Sequence, residues 1–329
     1  MQKICYGERT QIRNLLAGNR KEQYLRDILE GLTARNKYIS SIFFYDEAGS
    51  RLFEKITSLP EYYPYNTEKE ILREIAPELC KSFEGIDVVE IGSGDCSKIS
   101  ILLNAIPKQR RKTIRYVPVD ISYSALRDSA DIISERFPRI EFSGLVADFI
   151  SQMDRIPRAD GRFFCFFGST IGNLSRRGAL SYLTGLHEVM APGDNLLLGV
   201  DMVKDIKIIE RAYNDSEGVT AEFNRNILKV INSLAGTDFD PEAFSHVAFF
   251  NGEHSRIEMH LEARKDMEVK TPYLKENILI RKGERIHTEN SHKFSREQIE
   301  VMLRSAGLTI KKLYTDPNRW FLLILAGRD

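Results

Sequence analysis

Hydrophobic residues along this chain fall into two rhythms, a helical one with apolar neighbours three and four apart, and short unbroken runs that suit buried strands. Residues 8–59 carry the first: Leu25, Ile28, Leu29 and Leu32 share one helical face, and Leu52, Phe53, Ile56 and Leu59 share a later one. Residues Asp87–Ile91, 116–119, 140–145, 162–167 and 195–200 then read as strands, with 122–137 and 177–190 among the intervening helices. That alternation is the pattern of a parallel sheet built from βα units. Beyond Asp201 a charged run, 203–234, reads as helical, with Ile208, Ile209, Ala212 and Tyr213 among polar neighbours. Period-two alternation suggests strand-like structure at 255–261 and 277–280. The chain finishes as a helix, 296–306, followed by apolar runs at 308–314 and 320–326 around Thr315-Asp316-Pro317-Asn318, a turn-forming stretch.

Candidate chemistry enters where the first of these strands ends. The run VVEIGSG, Val88 to Gly94, carries a buried strand straight into a Gly-x-Gly turn, which brings backbone N–H groups towards a nucleotide-like ligand. Asp120 ends the next strand, where a doubly wound sheet presents a carboxylate to ribose hydroxyls. Strand, glycine turn, helix, strand and acid point to an adenosine-containing cofactor. The loop reads Gly92-Ser93-Gly94-Asp95-Cys96-Ser97, with Ser97 where a dinucleotide fingerprint wants its third glycine. Together with the terminal helix and hairpin, this favours S-adenosylmethionine and a class I (Rossmann-like) methyltransferase sheet over a nicotinamide dehydrogenase.

The block after Asp201 interrupts that sheet, which resumes near Phe294. The expected organisation is therefore a cofactor-binding domain of residues 67–203 plus 294–329, and a smaller α+β substrate domain of residues 1–66 plus 204–293. The second is expected over the carboxyl ends of the strands. Lysine plus arginine and aspartate plus glutamate both number 47 among 329 residues, and this neutral balance argues against a broad nucleic-acid surface. The four cysteines, Cys5, Cys80, Cys96 and Cys165, have no paired spacing and read as free thiols of a reducing cytoplasm. The opening does not read as a secretion signal, and the apolar runs are too short to span a bilayer. With no long exposed apolar seam, a monomer is expected. The spacings of His254 with His260 and of His287 with His292 match no common ligand pair, so no metal is expected.

Six further blocks carry a family resemblance. They are Tyr45-Asp46-Glu47-Ala48-Gly49-Ser50, Leu59-Pro60-Glu61-Tyr62-Tyr63-Pro64, Phe167-Gly168-Ser169-Thr170-Ile171-Gly172-Asn173-Leu174, Ala212-Tyr213-Asn214-Asp215 with Phe223-Asn224-Arg225-Asn226, Arg256-Ile257-Glu258-Met259, and Thr288-Glu289-Asn290-Ser291. In this order they resemble the histidine-specific Nα-methyltransferases of ergothioneine biosynthesis, which form hercynine, the trimethylated amino acid. The resemblance implies that Asn173 and Tyr213 hold the carboxylate of free L-histidine, that Glu289 and Ser291 bind its imidazole, and that Tyr62 and Met259 line the ring pocket. It places Tyr45 near the amino group and includes Gly168 among the substrate contacts. For S-adenosylmethionine it implies Gly92, Ser93, Gly94 and Lys98, with Asp120 on the ribose and Asp148-Phe149 on the adenine.

Elementary chemistry fits these roles. Methyl transfer from a sulfonium is an in-line displacement, so the protein has to place a neutral amine behind the methyl and exclude water. Three successive transfers consume every amine N–H, so recognition has to be anchored at the carboxylate and the ring. Glu289 can accept from one imidazole nitrogen and Ser291 can serve the other, on alternate residues of an extended segment. Each residue also has a plain structural reading. Asn173 or Ser175 suits a helix N-cap, Asp120 suits the cap before Ser122, Tyr62, Tyr213 and Met259 suit a core, and Lys98 suits solvent. The nearest rival substrate is a prenylated tryptophan, as for related fungal N-methyltransferases, but an indole offers no basic ring nitrogen to satisfy the pair. An RNA methyltransferase and a non-catalytic cofactor-binding protein are the rivals from other classes.

Overall fold

The computed structural model describes residues 2–7, 9–16 and 20–329, with side chains described outside 2–7 and Arg20. The chain divides into two compact units, Met1–Ala17 with Pro64–Val203 and Lys293–Asp329, and Gly18–Tyr63 with Lys204–His292.

Among the described residues the first unit is built on a nine-stranded sheet. Its strands are β1 (Gln2–Gly7), β2 (Thr10–Asn14), β3 (Asp87–Ile91), β4 (Arg115–Asp120), β5 (Glu141–Val146), β6 (Arg162–Phe166) and β7 (Asn195–Asp201), and near the C-terminus β13 (Thr309–Thr315) and β14 (Phe321–Gly327). The order β1-β2-β5-β4-β3-β6-β7-β14-β13 runs outwards from β3 in both directions, so strand succession reverses between β3 and β6. The strands from β2 to β7 are parallel, and antiparallel partners close the edges, β1 on β2 and β14 on β7. Every residue of β3 and β6 is buried, as parallel strands covered on both faces require. One face packs Leu72 and Ile75 of α3 (Tyr63–Leu79), Leu102 of α4 (Ser97–Ala105), and Leu126 and Ile133 of α5 (Tyr123–Arg136). The other packs Leu183 and Leu186 of α6 (Arg176–Val189) with Ile299 and Leu303 of α9 (Arg296–Ser305). This is a class I methyltransferase sheet.

The start of the chain corrects the helical reading of residues 8–59. Thr10–Asn14 is a strand with alternate burial around Ile12, and it pairs in parallel with β5 to extend the sheet. The short segment gains its partner from residues more than a hundred positions away, so helical periodicity could not foresee it. Residues 9–16 accordingly belong to the sheet unit, while Glu8, where the helical reading began, lies outside the described residues.

The second unit holds α1 (Arg20–Thr33), α2 (Glu47–Ser58), α7 (Ile206–Arg211) and α8 (Val219–Ala235) with two antiparallel sheets. The larger has β8 (Phe244–Asn251), β9 (Arg256–Ala263) and β12 (Arg285–His292) in the order β12-β9-β8; the smaller pairs β10 (Met267–Val269) with β11 (Ile278–Ile280). The charged run 203–234 is two helices rather than one. Asp205 caps the first through the Lys207 N–H, and Asp215 caps the second by accepting from Val219 and Thr220. Gly218, at φ 74°, makes the turn between them. Among the described residues no helix is long and apolar enough to cross a membrane.

Candidate active site

In the first unit the candidate cofactor residues gather at the carboxyl ends of β3, β4 and β5. Gly92 and Gly94 adopt left-handed φ angles of 67° and 52°, and a Cβ on Gly94 would meet nothing within 4 Å. Their N–H groups are already used: Gly92 donates to the Val119 carbonyl at 2.8 Å and Gly94 to Asp120 Oδ2 at 3.1 Å. At these two glycines the turn therefore offers room rather than free backbone donors, because the next strand lies close enough to claim them. Asp120 also accepts the Ser122 N–H through Oδ1 at 2.9 Å. It thus braces the glycine turn, while Ser122 itself caps α5 through the Ala125 N–H. Burial pushes the Asp120 carboxyl up, opposed by its backbone donors. Beyond β5, Asp148 accepts from Ile150 N–H and Ser151 Oγ, and the Phe149 ring lies 3.8 Å from where a Gly92 Cβ would stand.

Lys98 departs from the solvent-facing alternative. Its Nζ pairs at 2.7 Å with Glu68, a fully buried acid on α3 that also accepts the Gly168 N–H through both oxygens, at 3.1 and 2.9 Å. Gly168 and Ser169, both left-handed at φ 74° and 55°, open the loop after β6. Ser169 Oγ accepts the Asp201 N–H at 2.9 Å, and residues Thr170–Asn173 form a 3-10 turn that leaves Asn173 half-buried. Ser175 takes the helix cap, accepting from Gly178 N–H, so Asn173 does not serve as the α6 N-cap.

In the second unit the register of β12 decides which way its side chains face. His287 pairs with His260, but Glu289 pairs with Met259, because Thr288 is bulged out of the ladder. Without the extra residue Glu289 would lie opposite Glu258, on the other face of the sheet. The bulge turns Glu289 and Ser291 to the Met259 face. Thr288 Oγ1 donates to Asn224 Oδ1 at 2.7 Å and lies 3.0 Å from the Met259 carbonyl. Fully buried Asn224, on α8, also donates to the His260 carbonyl and to His246 Nδ1. Because the Tyr213 carbonyl only accepts, His246 carries its proton on Nε2, 2.9 Å away.

The Tyr213 hydroxyl donates to Ser291 Oγ at 2.8 Å. Its ring meets Tyr62 edge-on at 6.3 Å, Tyr62 meets Phe53 at 6.2 Å, and Tyr45 touches both Phe53 and Phe223 at 5.8 and 6.0 Å. A continuous aromatic wall thus connects Tyr45, Tyr62 and Tyr213.

The histidine-specific, S-adenosylmethionine-dependent methyltransferase family model matches residues 24–328. The chain belongs to this family. It is 41% identical over 314 residues to a histidine N-alpha-methyltransferase of Mycolicibacterium smegmatis, covering 95% of this chain and 98% of that protein. It is 42% identical over 303 residues to one of Mycobacterium tuberculosis, covering 92% and 94%. An ergothioneine biosynthesis protein 1 of Neurospora crassa is 32% identical over 88% of this chain and 33% of its own length. The mitomycin 7-O-methyltransferase structure aligns with a TM-score of 0.49 at 13% identity, covering 94% of this chain and 68% of that one.

For this methyltransferase, the first unit brings together Gly92, Ser93, Gly94, Lys98, Asp120, Asp148 and Phe149, with Gly168 and Asn173 in the loop after β6. The second brings together Tyr45, Tyr62, Tyr213, Met259, Glu289 and Ser291. S-adenosylmethionine fits the first set on the protein's own terms: among the described residues Ser93 Oγ is buried without a hydrogen-bond partner, Gly94 leaves open space, and the Asp120 carboxylate keeps acceptor capacity beyond its backbone donors Gly94, Ile121 and Ser122. Sequence reasoning missed Glu68, whose signal is an acid among the apolar positions of its helix. It missed Asn224, Thr288 and Phe223, although all three lie inside the family blocks, and it placed Phe53 only on a helical face. It also gave no sign that Glu258, His260 and His287 converge on the opposite face of the sheet, with ligating atoms within 4.8 Å of one another. There Glu258 Oε1 accepts from Arg256 and Asn251, and Oε2 lies 3.1 Å from His260 Nε2.

Proposed function

We propose that this protein methylates the α-amine of free L-histidine, in successive transfers that end at the trimethyl product. The observation that carries the reading is the bulge at Thr288, which puts a carboxylate and a hydroxyl, Glu289 and Ser291, on one face beside Met259. This pair matches the two nitrogens of an imidazole, one donating and one accepting. An apolar analogue would offer neither ring nitrogen to this pair and be strongly rejected.

S-adenosylmethionine supplies an electrophilic methyl group on a sulfonium, held by Gly92, Ser93, Gly94, Lys98, Asp120, Asp148 and Phe149. The protein's remaining work is placement. Tyr213 and Asn173 are assigned to the substrate carboxylate, Glu289 and Ser291 to the ring, and Tyr62 and Met259 to its apolar surround. Tyr45, edge-on to Phe53 and Phe223, is assigned to the amine. Holding the amino acid at two ends that never react leaves the amine free to lose its N–H groups one by one. The account does not require a covalent intermediate on the protein.

Steady-state kinetics of Glu289→Ala test the assignment. The expected result is a loss of histidine kcat/KM of about 100-fold or more, the scale of leaving a buried hydrogen-bonding partner unpaired, with S-adenosylmethionine affinity within about two-fold of the parent. An unchanged histidine rate would remove Glu289 from the imidazole site.

A further inference from the structure

The crevice between β3 and β6, where strand succession reverses, is where open α/β sheets take their ligands. Two loops flank it: the glycine turn after β3, which runs into Lys98 on α4, and the loop after β6, which begins at Phe167. Glu68 touches both. Its carboxylate pairs with Lys98 Nζ at 2.7 Å and accepts the Gly168 N–H through both oxygens. One turn earlier on the same helix, the Tyr65 hydroxyl donates to Asp95 Oδ2 at 2.9 Å and lies 2.6 Å from Ser97 Oγ, tying the glycine turn to α3 a second time.

The place for this carboxylate is built into neighbouring strands. A Cβ on Gly199 of β7 would stand 2.1 Å from Glu68 Oε1, so a side chain there would displace the acid. Glu68 is fully buried and Lys98 is 14% exposed. Burial pushes the acid's pKa up, against Lys98 and the Gly168 N–H. A buried ion pair contributes little net stability compared with apolar residues of the same size, so its presence calls for a role other than holding the fold. One Lys98 N–H is directed at Glu68, and the ammonium keeps further donors for an anion.

We propose that Glu68 is a positioning residue that staples the two loops across this crevice and aims Lys98 at the carboxylate end of the methyl donor. The proposal rests on the assignment of Lys98 to S-adenosylmethionine, and its test separates the two. Titration calorimetry of S-adenosylmethionine would be run on the full chain and on Lys98→Met, Glu68→Gln and the double variant. Glutamine keeps an acceptor for Gly168 and loses the charge that fixes Lys98. Each single variant is expected to weaken binding about ten-fold, and the double variant to be within about two-fold of Lys98→Met, because a residue acting through Lys98 has no effect once Lys98 is gone. A merely structural Glu68 would instead give additive losses. Additive losses, or Glu68→Gln binding as tightly as the parent while Lys98→Met binds weakly, would overturn the proposal and leave the lysine assignment standing. Unchanged binding by Lys98→Met would overturn both. Should Glu68→Gln fail to fold, Glu68→Asp retains the charge but is too short to hold both partners, and the same pattern is expected of it.

Discussion

Asn224→Ala tests the mechanism that faces Glu289 and Ser291 towards Met259. The buried amide makes three hydrogen bonds, accepting from Thr288 Oγ1 and donating to the His260 carbonyl and to His246 Nδ1. At roughly 1 kcal/mol net for each, their loss costs about 3 kcal/mol, and stranding His246 Nδ1 adds about 1 kcal/mol or more. A total of roughly 4 kcal/mol is a large share of the 5–15 kcal/mol typical of a domain. The loss should be concentrated in β12, because Thr288 is bulged and Asn224 is its side-chain partner. The chain's one tryptophan, Trp320, lies in the first unit and reports on the wrong region. Hydrogen exchange resolved to β12 peptides is therefore the assay, with histidine KM as the functional readout. Faster exchange in β12 and a histidine KM raised about ten-fold or more are expected, with S-adenosylmethionine binding preserved. Protection within about 1 kcal/mol of the parent together with an unchanged KM would refute the idea that Asn224 holds the bulge.

Three further outcomes follow from buried groups. Burial keeps His246, His260 and His287 below the ordinary imidazole value, so the unfolded chain takes up protons first, and stability should fall as pH drops from about 7 to 5. Glu258 adds to this loss at lower pH: despite the upward push of burial, hydrogen bonds from Arg256, His260 and Asn251 lower it to about 2, and its contribution fades as pH falls from its unfolded value towards that pKa. Melting temperatures from about pH 7 to about pH 2 check both, and a flat profile contradicts them. Burial raises Glu90 to about 8 although the Tyr116 hydroxyl donates to it, so its stabilising proton is lost as pH rises through that value. Glu90→Gln should therefore gain on the parent by up to about 1.4 kcal/mol per pH unit between pH 5 and 8 in denaturant titrations, and a constant difference would refute this. Gly199→Ala should destabilise the chain by about 1–3 kcal/mol through its clash with Glu68 Oε1. In thermal denaturation, combining it with Glu68→Ala should cost less than the sum of the two; strict additivity would place the clash elsewhere.

The parts legible in the sequence were those with local signatures. Unbroken apolar runs marked the parallel strands β3 to β7, a glycine turn and an acid marked their carboxyl ends, and an apolar pair around Pro317 marked the closing hairpin. The N-terminal hairpin was illegible because Thr10–Asn14 is short and polar at both ends, and pairs with β5 far along the chain. Strand β8 escaped notice, and β12 was read only as an extended segment at Glu289 and Ser291, because polar residues held by specific partners blur the apolar alternation of both strands. His246 is bonded to Asn224 and Tyr213, and Thr288 to Asn224 and the Met259 carbonyl. A bulge of one residue has no periodic signal, yet it decides which face Glu289 takes. The Glu68–Lys98 pair was hidden for a similar reason, since the two are thirty residues apart and meet only when α3 packs on the sheet.

On this reading free L-histidine is the methyl acceptor. Mass spectrometry of separate reactions of the full chain with S-adenosylmethionine and each of the common amino acids tests it most directly. A product carrying three added methyl groups from histidine alone is the predicted result. Methylation of tryptophan or another amino acid in its place, or no product from histidine, would contradict it.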